Sequence, residues 1–185
     1  MISRLTVLAL TFACITGCDS VKTTEKVGIE PASNMVEWDG TWRANDGAIH
    51  ISEGEAGKLD LAWIEHDKED GFEMKTGTAY VRKDADHFYV NLGPIGEDTS
   101  PGYSFMRVKA LSETVIILWG AQPRFFAKAV DAGELEGKVV RNSKNNSVHV
   151  VLTATTEKLT DYVRQAAQSE VWAMDQPLIM KKLTK

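Results

Sequence analysis

From Trp38 to Trp119 the chain is a succession of short segments in which apolar and polar residues alternate, each closed by Gly, Asp or Asn. A period of two places one residue set on each face of a strand, so the pattern predicts antiparallel sheet. In KLDLAWIEH, Leu59, Leu61 and Trp63 alternate with Asp60, Ala62 and Ile64. In FEMKTGTAYVRK, Phe72, Met74, Thr76, Thr78 and Tyr80 share a face. Strands are expected over 40–44, 48–53, 58–66, 72–83, 87–92, 103–111 and 114–120. The connections EGEAG, KEDG and KDAD are short and rich in turn formers, which makes neighbouring strands hairpins. GPIGEDTSPG, residues 93–102, is the one long loop. It has no lysine and no following helix, so it does not fit a phosphate cradle.

Two helical passages follow. PRFFAKAVDAGEL opens on Pro123 and stops at Gly133, a proline start and a glycine end. TEKLTDYVRQAAQSEVW has Thr155 as N-cap and apolar residues at spacings of three and four. GKVVR and SVHVVLTA flank the turn NSKNN as a further hairpin, and PLIMKKL supplies a last strand. The expected fold is mainly β (α+β): a single antiparallel barrel or half-barrel of about 8–10 strands, with two helices at its open end or edge. Closure is favoured because long exposed edges invite mispairing. The aromatic residues, Trp42, Trp63 and Trp119 foremost, are candidates for the core or for the lining of a ligand cavity.

The N-terminus reads as an export signal over 1–17, with Arg4 its only charge and an apolar run from Leu5 to Ile15. Eleven helical residues rise roughly 16 Å, about half a hydrocarbon core, too short for a transmembrane span. Ile15, Thr16, Gly17 and Cys18 resemble the lipobox of bacterial lipoproteins. That resemblance implies cleavage after Gly17, a diacylglycerol on the Cys18 sulfur and acylation of the new amino terminus. Asp19 resembles the residue that retains enterobacterial lipoproteins in the inner membrane, so a periplasm-facing inner-membrane location is expected before an outer-membrane one. The mature chain then keeps one cysteine, already occupied, and has no intramolecular disulfide. Removing the signal with its single Arg4 takes the net charge from −5 to −6, a sign that disfavours nucleic acid. Residues 18–37 mix polar residues, Gly and Pro without sustained period, as a lipidated tether would, and 38–185 form one β-rich domain.

No chemistry is legible. His50, His66, His87 and His149 show no metal-ligand spacing, DKEDG lacks the alternating ligands of a calcium loop, and no nucleophile elbow, C-x-x-C or dinucleotide fingerprint occurs. No metal or cofactor is expected, and no enzyme. Gly40, Thr41 and Trp42 resemble the Gly-x-Trp start of lipocalins, whose barrels hold an apolar ligand. Thr160, Asp161 and Tyr162 spell the second lipocalin motif, but inside a helical pattern, and the basic third motif has no match. The later pattern, from FYVNL to the C-terminal strand, is loosely similar to uncharacterised bacterial lipoproteins. The expected function is a lipid-anchored, non-catalytic binding or protein-interaction module with an envelope protein as partner. A lipocalin-like carrier is the alternative, and an envelope hydrolase is the weakest reading.

Overall fold

The computed structural model describes residues 19–33, 36–44, 47–67, 71–96 and 101–183. The expected signal over 1–17, Cys18, residues 68–70 and residues 97–100 lie outside them, as do the side chains of Val36 and of residues 65–67. The chain enters through β1 (Ser20–Thr23), passes β2 (Glu30–Pro31) and a 3-10 turn (Val36–Trp38), and builds β3 (Gly40–Ala44), β4 (Gly47–Glu53), β5 (Lys58–Asp67) and β6 (Gly71–Asp84). It continues through β7 (His87–Ile95), β8 (Ser104–Leu111), β9 (Val115–Gly120), α1 (Pro123–Asp131), β10 (Gly137–Asn142) and β11 (Ser147–Leu152). The chain finishes with α2 (Thr156–Gln165), α3 (Gln168–Val171) and β12 (Leu178–Lys182).

Seven strands, β3 to β9, pair in sequence order, and β6 pairs β7. The last strand, β12, inserts between β9 and β3, so the sheet closes as an antiparallel barrel of eight strands. Closure satisfies the edges that an open sheet would leave bare. The short β2 continues the ladder of β5 along β6, Pro31 opposite Arg82 and Glu30 opposite Lys83. Alternation sets the interior: Ile49 and Ile51 of β4, Leu59 of β5, Ala79 and Val81 of β6, and Ile116 and Leu118 of β9 are buried in one cluster with Trp42 and Met180.

A side lobe completes the fold. Its sheet runs β1-β11-β10, with β1 parallel and β10 antiparallel to the central β11. The inward residues Val21, Val148, Val150 and Leu152 share a second core with α1, α2 and α3 and with Tyr89 and Phe105 on the outer face of the barrel. The helices therefore cover a barrel wall rather than an open end. Helix α1 ends in a Schellman arrangement, with the Glu134 N–H donating to the Ala129 carbonyl, the Gly133 N–H donating to the Val130 carbonyl, and Gly133 at φ +73°. The second helical passage is two helices, not one. The Gln168 amide donates to the carbonyls of Val163 and Ala166 at 3.1 and 3.2 Å, taking up the carbonyls where α2 stops and letting the chain turn Trp172 into the core.

The tether expected over 18–37 is folded over its described residues 20–33 and 36–37. β1 is fully paired to β11, and Val27 and Ala32 have no exposed surface. A polar composition hid this because the strap is held by its backbone. Asn91, itself fully buried, accepts the Val27 N–H at 2.7 Å and donates to the Val27 carbonyl at 3.0 Å. Arg82 donates to the carbonyls of Gly28 and Ile29. Gly28 sits at φ +99°, and a Cβ there would stand 2.7 Å from Arg82 Cβ, so this crossing requires glycine.

Candidate functional site

Three places on the molecule are concave or apolar enough to weigh as a site. The first is the barrel interior. Trp42 is fully buried in the barrel core: its indole N–H donates to the Trp38 carbonyl at 2.8 Å, and Lys182 Nζ lies 5.1 Å from the ring centroid. Gly40 makes room for that lysine, since a Cβ on it would sit 2.8 Å from Lys182 Cε. A basic partner for Trp42 therefore exists on the last strand, although no sequence motif announces it; the pairing arises from the β12–β3 register, Lys182 opposite Trp42. Inside the barrel remains an apolar cavity of about 50 Å³, lined by Trp38, Leu61, Trp63, Leu92, Met106 and Leu178 among others. A drug-sized or lipid ligand needs roughly 300 Å³ or more. The barrel as it stands is filled.

The second place is a shallow groove of about 420 Å³ on the outer wall, over β4, β5 and β6. Here the outward residues are small or polar: Ser52 stands opposite Asp60 and Asp60 opposite Thr78, while Ala62 lies between His50 and Thr76. His50 exchanges hydrogen bonds with the Thr41 hydroxyl at 3.1 Å and the Ser52 hydroxyl at 3.4 Å. A Ser–His pair works as nucleophile and base when a carboxylate orients the second ring nitrogen. Here a threonine hydroxyl occupies that nitrogen, and Asp60 is committed to Lys58 at 3.0 Å.

The third is an exposed apolar patch on the same wall, toward the β5–β6 turn. Ile64 and Met74 face each other across the two strands and are 41% and 67% exposed. Phe72, two residues on along the same face, is 79% exposed. Phe72 was a candidate for the cavity lining; the register of β6 turns it outward instead.

Of the other residues singled out from sequence, Cys18 lies outside the described residues. Asp19 is part of the lobe: Oδ1 accepts the Val148 N–H at 2.8 Å and Oδ2 pairs with Arg124 at 3.3 Å. Trp63 lines the cavity. Trp119 follows the inward Leu118 and so faces outward, packed against the lobe core with Lys109 and Arg107 over its ring at 5.1 and 5.9 Å. His87 touches Arg107 at 3.4 Å, His149 bonds Ser20 at 2.9 Å, and the side chain of His66 is outside the description. Among the described residues no three His, Cys, Asp or Glu side chains converge, and no helix is long and apolar enough to cross a membrane. Thr160 and Tyr162 serve the lobe: Thr160 accepts the Gly28 N–H at 2.9 Å, and Tyr162 donates to Glu134 at 2.5 Å. Burial pushes the Tyr89 hydroxyl up to about 12. The Tyr162 hydroxyl is also pushed up to about 12, by burial and then by its bond to Glu134. No family model, curated protein or solved structure matches the chain.

Proposed function

We propose that this is a non-catalytic interaction module of the bacterial cell envelope, anchored by acyl chains on Cys18, that engages a protein partner through the bare outer wall of its barrel. The observation that carries the reading is the pairing of a filled interior with the exposed Ile64–Met74–Phe72 patch. Water-exposed aromatic and thioether side chains side by side are an aggregation liability unless something covers them. A polar groove beside an apolar patch is also the layout of an interface, an apolar centre with a hydrogen-bonding margin.

The test is photo-crosslinking in intact cells, with a benzophenone side chain at position 72 or 74 and control positions in the turn at 112–114. One discrete protein adduct from both patch positions and none from the controls supports the module. Adducts that do not distinguish patch from control would remove the reading. The anchor is tested separately: acyl-chain labelling is lost in Cys18→Ser, and labelling that persists would overturn it.

A lipocalin-like carrier is the second reading, favoured by the wholly apolar lining of the cavity and by the compatibility of an eight-stranded barrel with one small ligand. It requires the interior to widen severalfold. Native mass spectrometry of the purified protein showing a stoichiometric apolar adduct would favour it.

A further inference from the structure

We infer that the outward face of the β1-β11-β10 sheet is a docking surface for anionic lipid headgroups. The inference rests on the proposed Cys18 anchor, which supplies the bilayer. One residue, Asp19, separates Cys18 from Ser20, the first residue of β1, and that residue is pinned by the Val148 N–H and by Arg124. At about 3.3–3.6 Å per extended residue, the acylated residue is within about 7 Å of the sheet. The domain has no slack with which to float clear of the membrane. The sheet that carries β1 is the surface the bilayer meets first.

Its chemistry fits that position. With Val21, Thr23, Val148, Val150 and Leu152 buried, the alternate residues face outward in two rows across the three strands: Lys22–Val151–Lys138 and Ser20–His149–Val140. Val140 and Val151 are 47% and 38% exposed. No acidic residue occurs in either row, in a chain of net charge −5. The adjoining turn adds Lys144. Three carboxylates at the rim are ion-paired, Asp19 with Arg124, Asp131 with Arg141 and Glu136 with Lys158, while Glu25, just past the end of β1, is exposed. Exposed valines between lysines suit a headgroup boundary, where cations meet phosphate and short apolar side chains enter the interface. Within a Debye length of about 8 Å these charges are little screened, and each lysine favours an anionic surface about fivefold. The lobe lies on the β7–β9 wall, and β4 and β5 stand across the closed barrel from β8 and β9. Docking the sheet therefore turns the bare wall away from the bilayer, toward a partner.

The full-length protein, reconstituted into phosphatidylcholine vesicles with and without phosphatidylglycerol, tests this. Nitroxides are placed through Val140→Cys, Val151→Cys and, as control, Ser112→Cys, and intact mass reports whether the acyl chains are present. On vesicles with phosphatidylglycerol, collisions of labels 140 and 151 with an aqueous nickel chelate should fall at least fivefold relative to label 112. Lys138→Gln with Lys144→Gln should weaken docking roughly 30-fold and return the labels to water. In acylated protein, labels as accessible as the control would overturn the surface, and so would equal protection on phosphatidylcholine alone. Should the mass show no acyl chains, the anchor reading fails by itself. Flotation of that protein with phosphatidylglycerol vesicles then decides the surface: lysine-dependent flotation supports it, and no flotation overturns it.

Discussion

The two outer walls of the barrel are built on opposite terms. Over β7–β9 the outward residues include Tyr89, Phe105 and Trp119, which the lobe covers: Phe105 meets Phe126 and Trp172 edge-on at 5.4 and 6.0 Å, and Tyr89 lies 6.1 Å from Trp172. Over β4–β6 the outward residues are small and polar along the groove, then exposed and apolar toward the β5–β6 turn. One wall is therefore structural on both faces, while the other spends its inner face on the core and leaves its outer face available. Substitutions on the two walls should separate stability from binding.

The largest effect is expected on the covered wall. Trp172→Ala removes a fully buried indole that several rings share and should cost about 3–5 kcal/mol in denaturant unfolding. A loss below about 1 kcal/mol would mean that the lobe is not cooperative with the barrel. Next is the strap. Asn91→Leu strands the N–H and carbonyl of Val27 without partners and should cost about 2–3 kcal/mol. Limited proteolysis should then open the chain between residues 24 and 33.

Alkaline pH probes the same wall without mutation. The folded-state value for Tyr89, about 12, lies above its ordinary 10.0. Its contribution is complete below pH 10 and falls away as pH rises toward and through 12, by about 2 kcal/mol at pH 12. Tyr89→Phe should flatten that part of the stability–pH curve, and an unchanged slope would assign the loss elsewhere. Asp19→Ala removes a half-exposed acceptor and ion pair and should cost about 1 kcal/mol, seen as faster hydrogen exchange at Val148. On the bare wall, with the benzophenone kept at position 72, Met74→Ser should change stability by no more than about 0.5 kcal/mol, yet abolish the crosslinked adduct. A large loss of stability there would show that the patch belongs to the core.

The contrast between the walls was partly legible in the sequence. KLDLAWIEH alternates because one side of β5 faces water, whereas YSFMRV and VIILW run nearly continuous because β8 and β9 are covered on both sides. Read as simple alternation, the second kind of segment gives the right strand with the wrong surroundings, which is why Trp119 was grouped with the inward Trp42. The strap was illegible for a different reason. Its side chains follow no period, since its backbone is what Asn91 and Arg82 hold, and a hydrogen-bonding residue some sixty positions away leaves no local trace.

Local sequence determined where the strands from β3 onward, the starts of α1 and α2 and the Gly133 stop fall, because turn chemistry, capping and period are properties of neighbouring residues. It also suggested the lipid anchor at Cys18, through a short motif independent of any fold. Only the tertiary structure decided that β12 closes the barrel between β9 and β3, that Lys182 covers Trp42, that little space remains inside, and that Asp19 is pinned to β11. Each of these depends on register between residues far apart in the chain, and register is fixed only when both faces of every strand have found their packing.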